Sequence, residues 1–169
     1  MIAGYRDEKR HIDAIKSFSL LYKKRSNISL ICVGDERREK RDELQRYINQ
    51  QGIKNINLLL ASEAGDIIKF FWCADIFTLT SNRVETFPIS VLEALATGLP
   101  CVLTDTGGAK NIISQPFLGK VVPAGDIEAI AKAWGEQLIA NTSTDKARIR
   151  NYVVENYSLK QSAVKYLHT

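Results

Sequence analysis

Two carboxylates bracket one short stretch of this 169-residue chain: residues 85 to 93 read ETFPISVLE, with Glu85 before a turn-like Thr86-Phe87-Pro88 and Glu93 beyond it. Pro88 suits the first turn of a helix, and Ile89, Leu92, Ala96 and Leu99 give that helix an apolar face. Glu85 therefore falls in a loop and Glu93 one turn inside the helix. On a continuous helix the two would lie about 12 Å apart on one side, and a fold in the loop shortens that distance. The helix start at Pro88 to Ser90 offers free backbone N–H groups at the positive end of the helix dipole, an anion site fit for a phosphate. A carboxylate beside it suits hydroxyls instead, accepting charge-assisted hydrogen bonds from the vicinal OH groups of a sugar or ribose. Anion donors flanked by hydroxyl acceptors describe a sugar nucleotide. The plainer alternative is a surface loop glutamate and a helix glutamate stabilised by the dipole.

The elements that must position these groups follow from the hydrophobic pattern. Short β-rich apolar runs recur at residues 1 to 4, 28 to 33, 56 to 60, 75 to 80, 100 to 104 and 120 to 122, separated by segments of helical period. Ile12, Ile15, Phe18 and Tyr22 share one helical stripe, and Leu44, Tyr47 and Ile48 another. The pattern predicts an α/β fold, Rossmann-like, in three α/β/α layers around a roughly six-stranded parallel sheet. In such sheets the ligand crevice lies outside the carboxyl ends of the strands. Gly34-Asp35, Ser81-Asn82 and Asp105 with Gly107-Gly108 end successive strands and project toward that rim. Ala109 to Ile113 forms a short helix, Asp126 caps a helix bearing Ile127, Ile130, Ala131 and Trp134, and Ser158 opens a last helix over Leu159 to Leu167.

Composition narrows the classes. Apolar residues make up 45% and charged residues 25%, enough for one core and one domain, residues 1–169. No run of about 18 apolar residues occurs, and acids stand where a signal peptide would be apolar, so the chain reads as cytosolic. The net charge of +4 arises from intermixed signs, densest at residues 35 to 46. Alternating charges without interleaved aromatics read as a solvated helix face and not as a nucleic-acid patch. Cys32, Cys73 and Cys101 sit in apolar surroundings and read as reduced core residues. With two histidines and no acidic cluster at ligand spacing, no protein-bound metal site is expected. His11 reads as a helix-start residue.

Several segments in order, AGYRDEKRHIDAIKSF, LICVGDE, FFWCADIFTLTSNRVETFPISVLEALATGLPCVLTDTGGAKNII and GKVVPAGD, resemble the nucleotide-sugar-binding C-terminal domain of retaining GT-B glycosyltransferases of the family-four type, the glycosyl transferases group 1. The resemblance implies that Glu85 lies beside the donor sugar, accepts from its hydroxyls and stabilises positive charge developing at the anomeric carbon. It implies that Glu93 holds the ribose hydroxyls and that the backbone at Thr86, Phe87, Pro88 and Ile89 faces sugar and diphosphate, Pro88 having no donor to offer. It further implies that an Arg and a Lys near the first strand neutralise the diphosphate. Lys9 matches; Tyr5 stands where the family usually has the Arg, so either Arg6 fills the role after a local shift or the phosphate depends mainly on Lys9. Gly34 resembles the family's loop near the nucleotide, where glycine permits close backbone approach.

The function this implies is transfer of a hexose-type sugar from a nucleoside diphosphate sugar, the only cofactor-like molecule, to a glycan or lipid-linked acceptor, in polysaccharide assembly at the inner face of a membrane. The acceptor would be held by an N-terminal GT-B domain that this sequence does not contain. The chain thus reads as a fragment of a longer protein or a natural single domain, and as inactive alone. Two competing readings are a non-catalytic nucleotide-binding module and a GT-B nucleotide-sugar epimerase or phosphorylase. A dehydrogenase-like domain is disfavoured because no G-x-G-x-x-G follows a strand.

Overall fold

The computed structural model describes residues 1–84, 88–140 and 143–157, without side chains for 143–145. It is an α/β domain in which short parallel strands alternate with helices. The elements are α1 (His11–Tyr22), β1 (Leu30–Gly34), α2 (Arg38–Gln50), β2 (Ile56–Leu60), α3 (Ala61–Ala64), α4 (Ile68–Cys73), β3 (Phe77–Leu79), α5 (Ile89–Ala96), β4 (Cys101–Thr104), α6 (Ala109–Ile112), β5 (Gly119–Val122), α7 (Ile127–Ala140) and α8 (Ser143–Tyr157). All described strand pairs are parallel: β1 with β2 in register Leu30↔Ile56, β3 with β4 in register Phe77↔Cys101, and β4 with β5 in register Cys101↔Gly119.

The strands are two separate groups, β1-β2 and β3-β4-β5. Among the described residues five strands form where six were expected, because residues 1 to 4 make only the bridge Ile2↔Val33. An apolar run of this length cannot distinguish a strand from a single bridge. Strand β1 covers residues 30–34 and β3 only 77–79, each shorter at its start than the apolar run suggests.

Helices cover both faces. Adjacent strand residues point to opposite faces: Thr78 Oγ1 accepts from Trp134 Nε1 of α7 at 3.2 Å, while the Phe77 ring lies 5.8 Å from that of Phe71 in α4. Helix α1 packs on α7, and α5 on α8. Fully buried Ile15, Leu60, Leu95 and Ile130 each contribute about 1.5–3 kcal/mol through burial. Asp126 caps α7 as expected, its Oδ1 accepting from the Ala129 N–H at 2.9 Å. Gly119 has φ +137°, and a Cβ there would lie 1.8 Å from the Cys101 carbonyl oxygen, so only glycine lets β5 start beside β4.

Three expectations are corrected. The core face of α5 is Val91, Ala94 and Leu95, continued by Leu99 beyond the helix end, whereas Ile89 is 69% exposed. Pro88, with ψ 109°, is the residue before the first turn, so the apolar stripe begins two residues later than Ile89. Cys73 is exposed at the end of α4, while Cys32 and Cys101 are buried and free. The expected helix from Ser158 lies outside the described residues.

Tyr5 ties the first segment to the β1-β2 group. Its buried hydroxyl donates to the carbonyls of Cys32 at 3.1 Å and Leu59 at 2.9 Å, and burial pushes its ionisation well up, so it stays a neutral donor. Replacing Tyr5 by Phe removes only that hydroxyl and is expected to cost about 1 kcal/mol in urea unfolding. An unchanged midpoint would show that the two carbonyls do not depend on it.

Candidate functional site

Three loops meet at the carboxyl ends of the strands. In the first, residues 4 to 10, a 3-10 turn over Asp7–Lys9 is closed by Lys9 N–H to Arg6 O at 3.0 Å and Arg10 N–H to Asp7 O at 3.1 Å. Arg10 follows in the left-handed region with φ 52°, a conformation that costs a non-glycine residue about 1–2 kcal/mol. Its guanidinium offsets that cost by a bidentate pair with buried Asp13, both contacts at 2.8 Å. Lys9 is thus projected from a turn whose backbone is fixed on both sides, and its side chain is half-buried.

The second loop follows β1. Asp35 Oδ1 accepts the Tyr5 N–H at 3.1 Å, and its Oδ2 lies 3.8 Å from Arg6 Nε and 3.6 Å from Arg37 Nε. Arg6, with a side chain 49% exposed, is therefore drawn toward this carboxylate. Tyr5 points into the sheet and cannot serve a ligand. The space that Gly34 leaves is taken by the Tyr5 ring, whose carbons would lie 2.5 Å from a Cβ at that position. Packing inside the fold, and not the approach of a ligand, explains the glycine. One residue on, Glu36 accepts from both the N–H and the hydroxyl of Ser62, and these two bonds hold its carboxylate below the usual range.

The third loop follows β3 and leads to α5. The Thr80 hydroxyl, buried, faces the carbonyls of Lys9 at 3.1 Å and Arg10 at 3.0 Å, and the Asn82 N–H donates to Glu8 O at 2.9 Å. Thr104 Oγ1 donates to Ser81 O, fastening the same loop to the end of β4. Pro88, Thr106 and Ala109 line a crevice of ≈ 10 Å³ where α5 starts beside the loop after β4. Gly107 in that loop has φ 72° and makes its turn; Lys110 pairs with Asp105 at 2.6 Å.

The structure thus brings Lys9, Arg6 and Gly34 together through backbone ties. Glu93 stands exposed on α5. Glu85, Thr86 and Phe87 lie outside the described residues. Among the described residues no side chain caps the start of α5, and the N–H groups of Ile89 and Ser90 suit an anion. Asp35 and Thr80 escaped the sequence reading as organisers of the cationic loop. The signal for Thr80, a hydroxyl ending an apolar strand at the rim, was present in DIFTLT. Among the described residues no group of three or more His, Cys, Asp or Glu is placed to hold a metal ion.

Residues 1–153 match the family described as glycosyl transferases group 1. The chain belongs to this family. Its relatives include the UDP-Gal:alpha-D-GlcNAc-diphosphoundecaprenol alpha-1,3-galactosyltransferase of Escherichia coli, 28% identical over 136 residues, a match covering 76% of this chain and 33% of the relative. The N-acetyl-alpha-D-glucosaminyl L-malate synthase of Bacillus anthracis is 26% identical over 134 residues, covering 77% of this chain and 33% of that protein. The chain spans about a third of the length of these curated relatives. Among solved structures, a glycosyltransferase from Rickettsia africae superposes with TM-score 0.84 at 22% identity, over 99% of this chain and 46% of that one. Anabaena HepE in complex with UDP-glucose gives TM-score 0.82 at 19% identity, over 99% and 48%. These likenesses show the fold, the parallel α/β fold found in GT-B glycosyltransferases.

His11, the first residue of α1, is buried against Tyr5 with ring centroids 4.8 Å apart, and its Nε2 meets no partner among the described residues. Burial is the chief cause that pushes its imidazole down to about 4. The folded value lies below the ordinary one near 6.5, so the unfolded chain binds more protons between those values. Stability contributed by neutral His11 is present above pH 6.5 and lost as the pH falls toward 4. A His11→Phe variant is expected to lose less stability than the parent across that interval, by about 2–3 kcal/mol in urea titrations at the two pH values. Equal losses would contradict a buried neutral imidazole.

Proposed function

We propose that residues 1–169 are the donor-binding half of a retaining glycosyltransferase that moves a hexose-type sugar from a nucleoside diphosphate sugar to a glycan or lipid-linked acceptor. The observation that carries the reading is the family match over residues 1–153 on a chain whose rim carries cations and a helix start uncapped among the described residues. Departure of the nucleoside diphosphate builds negative charge on the leaving group and positive charge on the sugar ring. Lys9, with Arg6 released from Asp35, neutralises the diphosphate, and the N–H groups at the start of α5 hydrogen-bond it. Glu93 accepts from the ribose hydroxyls. Glu85 sits beside the sugar and stabilises the developing positive charge, and the backbone of Thr86, Phe87, Pro88 and Ile89 encloses sugar and phosphate. The backbone at Gly34 borders the nucleotide.

Uridine is the base favoured, because relatives are named for a UDP-galactose donor and for complexes with UDP and UDP-glucose. The acceptor is held by a partner domain of a longer protein, consistent with this chain spanning about a third of its relatives. With a lipid-linked acceptor, the whole enzyme works in the cytoplasm at the inner face of the membrane, and the isolated chain binds donor without transferring it. No described helix is long and apolar enough to cross a membrane.

Calorimetric titration with UDP, GDP and ADP tests the reading. UDP is expected to bind, and Lys9→Ala and Glu93→Ala each to weaken it roughly 10- to 100-fold, the loss of one hydrogen bond to a charged group. An exposed Lys132→Ala control on α7 leaves binding unchanged. Binding of all three nucleotides indifferent to Lys9 and Glu93 would sink the assignment.

A further inference from the structure

Most cations around the first two rim loops are committed to acids of their own. Arg10 holds Asp13 with two contacts at 2.8 Å, Lys40 reaches Asp7 and Glu43 at 2.8 Å each, and Arg38 and Arg41 each lie 3.4 Å from Glu63. Glu36 is turned to Ser62. Asp35 differs: one of its oxygens, Oδ2, faces two guanidinium groups, Arg6 Nε at 3.8 Å and Arg37 Nε at 3.6 Å. Charge-assisted N–H···O bonds run to about 2.7–2.9 Å, so both contacts are loose ion pairs and neither is a hydrogen bond. The other oxygen, Oδ1, accepts from the Tyr5 N–H and fixes the carboxylate in place.

The seat of this group is built into the backbone. A Cβ on Gly4 would lie 2.7 Å from Asp35 Oδ2 and 3.3 Å from Arg6 Nε, so carboxylate and guanidinium fold across the space the glycine leaves. Arg6 directly precedes the turn that carries Lys9, and Arg37 directly precedes α2. Both side chains are half exposed and approach Asp35 by the Nε edge. Among the described residues no acceptor meets the terminal nitrogens of either. Two guanidinium groups against one carboxylate leave a net positive charge on the same side of the fold as Lys9.

We propose that Asp35 is an internal competitor for the diphosphate and that Arg37 is the residue that lets Arg6 leave it. The inference rests on the donor-binding reading and deepens it. The Asp35 carboxylate occupies Arg6 in the place of phosphate oxygens, which match a guanidinium in the same way. When the diphosphate arrives, Arg6 swings to it by rotation about its side-chain bonds. Alone, Asp35 would then be an unpaired carboxylate close to a second anion, and the repulsion would oppose binding. Arg37 stays on Oδ2, keeps that charge neutralised and makes the exchange electrostatically cheap. It acts through Asp35 and not on the ligand, which makes it a positioning residue. The exchange also accounts for the loose contacts: a bidentate pair like Arg10 with Asp13 would hold Arg6 too firmly to be given up.

The test is calorimetric titration of residues 1–169 with UDP and with inorganic pyrophosphate at low salt, where charge pairs are least screened. The parent is compared with Asp35→Asn, Arg37→Gln, Arg37→Lys and the combination of Asp35→Asn with Arg37→Gln, each shown to be folded by a cooperative thermal transition. Asp35→Asn keeps an acceptor for the Tyr5 N–H and is expected to bind both probes about two- to fivefold more tightly. Arg37→Gln is expected to bind them weaker by about the same factor, and Arg37→Lys to restore binding because the charge alone is needed. With Asp35→Asn already in place, Arg37→Gln is expected to change little, since no carboxylate is left to neutralise. Binding that Asp35→Asn fails to tighten, or that Arg37→Gln fails to weaken, overturns the proposal. So does an undiminished effect of Arg37→Gln beside Asp35→Asn, which would put Arg37 on the ligand itself. UDP binding that needs Lys9 and Glu93 but ignores Asp35→Asn ends the exchange and keeps the donor reading. Pyrophosphate that follows the expected signs while UDP binds no better than pyrophosphate does the reverse, and binding of neither probe by any variant overturns both.

Discussion

The hydroxyl of Thr80 is the contact on which the rim depends. It is 1% exposed and meets two consecutive carbonyls, Lys9 and Arg10, of a turn more than sixty residues away in sequence. The two described strand groups share no ladder, so at the rim this hydroxyl and the neighbouring Asn82 N–H to Glu8 O bond hold the cationic turn of one against the loop of the other. A buried carbonyl without such a donor would cost about 1–3 kcal/mol. The strained backbone at Arg10 persists because this anchor and the Asp13 pair over-determine it.

The consequence is a division of labour between backbone and side chains. Positions are set by main-chain bonds, which cost no rotamer freedom, while the charged heads of Lys9 and Arg6 extend from fixed points. Asp35 holds the Tyr5 amide and attracts Arg6 and Arg37, so it both shapes the turn and keeps one cation close to the rim. On the proposed chemistry the turn that carries Lys9 is preorganised before the ligand arrives, while Arg6 leaves Asp35 to join it. Exposed Ile89 and Val84 border the same rim and give it an apolar margin.

Much of this was legible from the residues. The parallel α/β class, strands β2, β4 and β5, the Asp126 cap and a helix beginning just after Pro88 all follow from local pattern. So does the meeting of several loops at one rim. What could not be read were the long-range ties. Tyr5 is spoken for by the carbonyls of Cys32 and Leu59, which lie 27 and 54 positions away, and its ring explains Gly34. Those partners are invisible to any window of neighbouring residues. The first apolar run forms a bridge instead of a strand because pairing depends on what lies beside it, not on its own residues. Ile89 misled because an apolar residue at a helix start satisfies the periodicity whether or not it faces the core.

The most direct test of the account is a crystal structure of the chain with UDP-glucose bound. The account predicts the diphosphate within hydrogen-bond reach of Lys9 Nζ and of the Ile89 and Ser90 N–H groups, with the ribose hydroxyls on Glu93. Nucleotide bound away from Lys9 and Glu93, or lodged between β1 and β3, would contradict it.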